Sequence, residues 1–187
     1  MKDTFTFGGV TRKKEVILGF ACAISCLVFT ALIQYFILEK LLGIRHIASG
    51  HFIISIFMGL SIALVLLKFL GKKIRGTWEI VIIEKKIIEM FYNKQKVAVI
   101  EKKQIDKVIY KGQLGENGFR YLIIKYDNNK KISVRVGRND LTPFSSENDM
   151  IAFDFFFNEL KKIFLPSLPI KKEQEKYPIV HYVYRKK

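Results

Sequence analysis

The sequence contains few of the residue types from which catalytic and metal centres are built. Its 187 residues include two Cys, three His, four Pro and one Trp, and only 17 acidic residues stand against 32 Lys and Arg. No G-x-S-x-G, H-E-x-x-H, Walker A or G-x-G-x-x-G motif is present. The sequence therefore predicts a protein that is not an enzyme and that has no catalytic, cofactor-binding or metal-binding residues.

The two cysteines, Cys22 and Cys26, lie one helical turn apart inside a long apolar run. A metal site would need two to four ligands at a suitable spacing, and the sequence offers no such set. We interpret both cysteines as small packing residues of a helix, not as a disulfide or a pair of metal ligands.

Two long apolar runs, 16–38 and 47–67, follow the N-terminal segment. A helix needs about 20 apolar residues to cross the hydrocarbon core of a bilayer, and each run is that long. The first run is longer than the core of a signal peptide, no A-x-A-like cleavage site closes it, and a second run follows. We therefore predict an uncleaved transmembrane helical hairpin over residues 16–70.

Basic residues flank the predicted hairpin on both outer sides. Since Lys and Arg accumulate on the cytoplasmic side of membrane spans, both chain termini are predicted to be cytoplasmic. The predicted boundaries are a basic N-terminus over 1–15, a cytoplasmic domain over 76–165 and a tail over 166–187. The residues predicted to contact the membrane surface are Arg12, Lys13, Lys14, Lys72, Lys73 and Arg75.

The formal net charge is +15, and most of the basic excess follows residue 67. A basic domain tethered to a membrane faces anionic headgroups, so anionic lipid is a predicted partner. Nucleic acid is the alternative partner of a basic domain, but no nucleic-acid recognition motif is present. The other predicted partners are an unidentified membrane or cytoplasmic protein and a second copy of this chain.

Small residues recur at every fourth position in both apolar runs. Residues with short side chains at this spacing let helix backbones approach closely. We expect the two stripes to face each other or a second copy of the protein. The first stripe is Cys22, Cys26 and Thr30, and the second is Ser55, Gly59 and Ala63.

From Thr77 onward, short runs rich in β-branched and aromatic residues alternate with turn-forming segments. This pattern predicts an antiparallel meander of six or seven strands. A helix is predicted over 147–164, with Ser146 and Asp149 as its capping box. Its apolar surface is wider than one sheet covers. The candidate partner surface on this helix is Phe155, Phe156 and Phe157, of which we expect at least one to face away from the sheet.

The tail over 166–187 begins with a Pro- and Lys-rich stretch, predicted to be an extended linker, and ends in a strand-like segment. Such a segment can add to an exposed sheet edge. Three interpretations remain open: pairing within its own domain, a disordered basic tail, and pairing with a partner.

The order of these elements resembles that of the bacterial pleckstrin-homology-like (YcxB-type) membrane proteins, over residues 15–165. KQIDKVI at 103–109 is similar to that family's mid-domain signature, and 119–136 is similar to its two apolar strands around a D-x-x-K turn. The resemblance implies a mainly-β PH-like domain with one C-terminal capping helix and no catalytic residues. It does not imply phosphoinositide binding, because Lys85 and Lys86 are not followed by the [K/R]-x-R pattern.

Together these features and the resemblance predict a non-catalytic binding or scaffolding module held at the cytoplasmic face of a bacterial inner membrane. One alternative is an immunity-type membrane protein that protects against a membrane-targeting toxin, which a neighbouring toxin gene would support. Another is an enzyme acting on lipids, which a buried pair of carboxylates or a His in a membrane-facing pocket would support.

Overall fold

A computed structural model describes residues 2–43, 49–113, 118–127, 130–138, 144–167, 170–176 and 179–185. The chain divides into two compact units. One consists of Met1–Arg12 together with Ile74–Lys187, and the other is Lys13–Lys73. We call the first the β unit and the second the helical unit.

The helical unit consists of two long apolar helices. Helix α1 (Arg12–Leu32) continues as a π-helical segment (Ile33–Leu41), and α2 spans Ser49–Ile74. Their most apolar stretches have mean hydropathies of 2.6 and 2.5, and only 11% and 17% of those stretches are buried. A helix in the core of a soluble protein would be mostly buried. Both helices are therefore long and apolar enough to cross a membrane, as the sequence predicted.

The β unit contains nine described strands in two antiparallel sheets. The first sheet has the order β1-β2-β3-β4 and the second the order β7-β6-β5-β9-β8. A bridge between Val10, which follows β1, and Arg135 of β7 connects the two sheets. The strands are β1 (Lys2–Gly9), β2 (Gly76–Ile83), β3 (Ile87–Tyr92), β4 (Gln95–Glu101), β5 (Ile105–Gln113), β6 (Phe119–Tyr126), β7 (Lys130–Gly137), β8 (Ile170–Lys176) and β9 (Ile179–Arg185).

Strand β1 lies on the N-terminal side of the two apolar helices, yet it belongs to the β unit. It pairs with β2 over eight residues, from Lys2 opposite Ile83 to Gly9 opposite Gly76. The segment over 1–15, predicted to be a separate basic terminus, is therefore largely a sheet strand. The physical reason is its alternation, since Phe5 and Phe7 point toward the core while Thr4 and Thr6 are exposed.

The C-terminal helix α3 (Glu147–Ile163) covers the sheet and packs mainly against β1. Phe7 of β1 meets the ring of Phe153 edge-on at 5.3 Å and the ring of Phe156 at 6.2 Å. The predicted capping box is confirmed, because Ser146 and Asp149 exchange side-chain and backbone hydrogen bonds at the start of the helix. The mainly-β domain with a C-terminal helix is thus confirmed at this coarser level.

The tail adds two strands to the second sheet. Strand β9 pairs with β5 from Lys107 opposite Arg185 to Gln113 opposite Ile179, and β8 pairs with β9. Of the three interpretations of the tail, the structure shows pairing within its own domain. The stretch predicted to be a linker is partly β8, which β9 recruits despite the low strand propensity of IKKEQEK.

Candidate membrane-anchor junction

The strands that lead into and out of the two apolar helices meet at one end of the first sheet. Gly9, at the end of β1, is opposite Gly76, at the start of β2. The turn between β3 and β4 lies at the same end, because the backbone N–H of Thr77 donates to Asn93 Oδ1 at 2.9 Å. We call this end, formed by Gly9, Gly76 and the turn Asn93–Lys94, the junction end of the sheet.

Two glycines allow close packing at the junction end. A Cβ atom on Gly9 would lie 2.5 Å from the carbonyl oxygen of Arg135, a distance too short for any side chain. That carbonyl accepts a hydrogen bond from the N–H of Val10 at 2.9 Å. A Cβ on Gly8 would collide with the guanidinium of Arg75. The FGGV sequence therefore lets β1 reach both β7 and the residue that precedes β2.

Asp149 connects three segments of the chain at the junction end. Its carboxylate accepts hydrogen bonds from the backbone N–H of Gly8 at 2.5 Å, from Ser146 Oγ at 2.6 Å and from Arg75 Nη2 at 2.7 Å. Gly8 precedes the first apolar helix, Arg75 follows the second, and Ser146 begins α3. The residue is only 9% exposed, so the contacts are made largely out of water.

The hydrogen bonds determine the ionisation of Asp149. Burial by itself would raise the pKa of this carboxyl group, but the hydrogen bonds from Ser146 and Gly8 and the charge of Arg75 outweigh it. The net pKa of Asp149 is lowered, so the carboxylate is charged at neutral pH. A charged acceptor at the first turn of α3 also faces the positive end of the helix dipole.

Additional basic side chains lie at the junction end. Lys94 is exposed on the turn between β3 and β4, and Arg135 lies in β7 beside the ring of Tyr121, 4.8 Å from its centre. Burial, and then the charge of Arg12, lower the pKa of Arg135. Lys94 and Arg135 were not predicted to belong to this site, because only the pairing of β1 with β2 and the bridge between Val10 and Arg135 bring them to the junction end.

The predicted membrane-contact residues divide into two groups. Arg12, Lys13, Lys72 and Lys73 are exposed, and Lys14 is partly buried. Arg75 instead directs its guanidinium to Asp149, although its side chain keeps 42% exposure. Its charge is therefore partly used within the β unit.

The predicted packing stripes of the two apolar helices meet at Gly59. A Cβ on Gly59 would lie 3.0 Å from the carbonyl oxygen of Cys26 and would collide with the hydroxyl of Thr30. Ser55 and Ala63, one turn before and after Gly59, are 0% and 4% exposed. Cys22 and Cys26 are free thiols of intermediate burial. The structure therefore brings the two stripes together.

The three consecutive phenylalanines of α3 point in different directions. Phe155 is 64% exposed, whereas Phe156 and Phe157 belong to the core. Phe156 packs against Phe5 and Phe7, and Phe157 stacks on Tyr110 at 4.0 Å. Only Phe155 can therefore contribute to a partner surface; β1, which the sequence analysis left outside the domain, covers Phe156.

A second group of polar side chains lines a cavity of about 260 Å³ between α3 and β9. The guanidinium of Arg120 is almost fully buried and binds Asp154 at 3.1 Å and the carbonyl oxygen of Phe119 at 3.2 Å. Burial raises the pKa of the neighbouring Tyr110, which therefore stays protonated. Because Arg120 is neutralised by Asp154, whose side chain is partly exposed, this arrangement is a satisfied ion pair.

Comparison of the chain with protein-family models, with curated proteins and with solved structures found no match. Among the described residues, no group of three or more His, Cys, Asp or Glu is arranged to hold a metal ion. The function therefore has to be argued from the geometry of the junction end itself.

Proposed function

We propose that this protein is a PH-like binding or scaffolding module anchored at the cytoplasmic face of a bacterial inner membrane by its two apolar helices. The observation that carries the proposal is the pairing of β1 with β2. Because one strand precedes the helices and the other follows them, both ends of the anchor belong to one folded unit. An anchor that crosses the bilayer twice returns the chain to the side from which it left, as this pairing requires.

The strand order supports the PH-like part of the proposal. Seven strands precede α3, four in the first sheet and three, β5 to β7, in the second. The membrane anchor is then an insertion in the connection between β1 and β2.

The first apolar helix is an anchor in this proposal and not a removable signal. Cleavage after α1 would separate β1 from the sheet and would remove Phe7 and Val10, which are 1% and 0% exposed, from the core. Burying one Phe side chain contributes about 1.5–3 kcal/mol. Loss of β1 would therefore destabilise the whole β unit.

Charge at the junction end favours anionic lipid as a partner of this module. Burial, and then the charge of Arg12, lower the pKa of Arg135, so the two guanidinium groups are close enough to repel each other. An anionic headgroup near these guanidinium groups would relieve that repulsion. Tethering by the helices also raises the effective concentration of the domain for any partner in the same membrane.

Thiol labelling in intact cells tests the topology on which the proposal depends. Cys22 and Cys26 are first changed to Ser, and single cysteines are then placed at Leu42, Thr4 or Glu79, all exposed positions. A membrane-impermeant maleimide should label Leu42→Cys in intact cells. Thr4 lies in β1 and Glu79 in β2, and these two strands are paired. Thr4→Cys and Glu79→Cys should therefore both react only after the membrane is opened. The proposal would be refuted if only one of Thr4→Cys and Glu79→Cys reacted in intact cells, or if both did.

A further inference from the structure

Strand β4 is an open edge of the first sheet. Within the described part of the chain, β3 is the strand that pairs with β4, and no strand pairs with its other side. The other sheet edges are protected differently. Ser145 and Asp149 form hydrogen bonds with the backbone of Gly8 in β1, and Val10, which follows β1, forms a bridge with Arg135 of β7. Strand β8 has charged residues at five of its seven positions, which discourages further pairing.

The backbone of β4 is directed toward this open side at Val99. The N–H of Glu101 donates to the side chain of Gln104 at 2.9 Å and not to β3. Since residues two apart in a strand direct their backbone groups to the same side, the N–H and C=O of Val99 also point away from β3. They are available to a further strand.

The side chains of β4 suit an extended apolar partner. Val97 and Val99 are each 45% exposed on the outer face, while Ala98 and Ile100 are buried on the inner face. Lys96 is bound to Glu89 at 2.8 Å, and the ladder is irregular between Met90 and Phe91. The open part of the edge is therefore the apolar half, Val97 to Ile100.

A basic cavity lies at the end of this apolar half. Its volume is about 450 Å³, and its lining combines Ile87 and Glu101 with three lysines, Lys86, Lys102 and Lys103. Lys103 is paired with Glu101 at 2.9 Å, which leaves a positive balance in the lining. An acidic side chain is the group that such a lining would accept at the end of a bound strand.

We propose that β4 is the docking edge for an extended segment of a partner protein, with alternating apolar residues and an acidic end that enters the lysine-lined cavity. This inference rests on the proposed function and specifies the partner of the binding module. Backbone hydrogen bonds to β4 supply affinity, while Val97, Val99 and the cavity supply selectivity.

A second copy of the chain is a poorer occupant of this edge. If a two-fold axis relates two copies, their β4 strands run antiparallel to each other. The two junction ends then lie at opposite ends of the joint sheet. Over seven residues this separation is about 20 Å. Two chains anchored in one bilayer through their junction ends are not readily joined in that way.

The test uses the full-length protein in nanodiscs and a fluorescent peptide, DETVTVTVDE, with blocked ends. We expect saturable binding that an N-methylated version of the same peptide, unable to donate alternate backbone hydrogen bonds, weakens at least tenfold. The version with basic ends, KKTVTVTVKK, should bind at least tenfold more weakly as well. Exchange of the Val99 amide hydrogen should slow at least tenfold when DETVTVTVDE is bound.

Val99→Asp should weaken binding of DETVTVTVDE at least tenfold. The matched control is Thr4→Asp. Thr4 and Val99 are exposed residues at the two ends of one cross-strand row of the first sheet, whose middle members are Val81 and Glu89. Thr4→Asp adds the same charge on the other edge strand and should leave binding unchanged. If Val99→Asp unfolds, Lys102→Gln with Lys103→Gln provides a second variant, for which the same weakening is expected.

Equal binding of the N-methylated peptide, or equal weakening by Thr4→Asp, would overturn the assignment of β4. Self-association of the protein that Val99→Asp abolishes would also overturn it, in favour of a second copy. These outcomes leave the thiol-labelling result untouched, so failure of this inference and failure of the proposed function are distinguishable.

Discussion

At the residue scale, one carboxylate links the segments that lead to and from the apolar helices. Asp149 receives hydrogen bonds from Gly8 and Ser146 as well as from Arg75, so its loss would leave several donors without an acceptor. An unsatisfied buried donor costs about 1–3 kcal/mol. The ion pair between Arg75 and Asp149 adds little to this cost, because Arg75 is partly exposed and exposed ion pairs contribute about 0–1 kcal/mol.

Asp149→Asn should therefore lower the free energy of unfolding of the β unit by about 1–3 kcal/mol at pH 7. Trp78, the single tryptophan, is buried beside Tyr92 and reports this unfolding by its fluorescence. Asp127→Asn removes an exposed carboxylate that binds Lys130 and serves as the matched control, with no measurable loss expected. Equal losses for both variants would contradict the role assigned to Asp149.

The difference between wild type and Asp149→Asn should depend on pH. The pKa of Asp149 is lowered in the folded protein, so its stabilisation is fully present above the unfolded pKa of about 3.9 and is lost as the pH falls through the folded value. Unfolding measured between pH 7 and pH 2 should show the two proteins converging at the acid end. A difference that stays constant over this range would show that the charge of Asp149 does not contribute.

Phe155 and Phe156 provide a matched pair of adjacent residues on α3. Phe156→Ala should destabilise the β unit by about 3–5 kcal/mol, because it leaves a cavity against Phe5 and Phe7. Phe155→Ala, at an exposed position, should change the free energy of unfolding by about 0.5 kcal/mol or less. Comparable losses in the two unfolding curves would show that Phe155 is an ordinary core residue and not available to a partner.

At the element scale, β1 explains both the extent and the limit of what the sequence predicted. The apolar helices, the central strands and the capping box of α3 follow from local patterns of hydropathy, alternation and side-chain capping, which a single segment displays. The pairing of β1 with β2 is not local, because the whole helical unit lies between them. The alternation of Phe5 and Phe7 is typical of a strand, but 1–15 was predicted to be a basic terminus, and no local feature identifies the partner strand.

The same limit applies to the candidate site. Arg12 and Lys13 were predictable from their position beside an apolar run, whereas Lys94 and Arg135 join the junction end only through strand register. Asp149 was recognised as a capping residue, but its contacts with Gly8 and Arg75 depend on where β1 lies. Long-range pairing therefore determines most of the site.

This organisation predicts that the helical unit can be replaced by a loop. Since Gly9 and Gly76 are paired, residues 1–12 joined to 74–187 through a short Gly/Ser loop should give a soluble, folded β unit. Residues 74–187 alone should aggregate and bind hydrophobic dye, because Phe153 and Phe156 lose the cover of β1. Size-exclusion chromatography and Trp78 fluorescence compare the two proteins. Identical behaviour would show that β1 is dispensable for the fold.

At the scale of the whole molecule, basic residues occupy both ends of the first sheet, but only the junction end is connected directly to the apolar helices. Lys94 lies in the turn at this end, and Lys85 lies in the turn between β2 and β3 at the opposite end. Both residues have positive φ, of 66° and 57°. Asn tolerates this conformation, so replacing either lysine by Asn removes one charge without straining the backbone.

Amide hydrogen exchange of the full-length protein in nanodiscs can then locate the lipid-facing end. The turn over 93–96 should exchange more slowly in discs with anionic lipid than in neutral discs, because each lysine near an anionic surface contributes about 1 kcal/mol. The protection should decrease as salt is raised toward about 0.5 M, because at that ionic strength screening limits the interaction between surface charges to a few ångströms. Lys94→Asn should reduce this protection, whereas Lys85→Asn should leave it unchanged. Protection that is equal in neutral discs, insensitive to salt, or equally reduced by both variants would mean that the junction end does not meet the lipid surface through its charge.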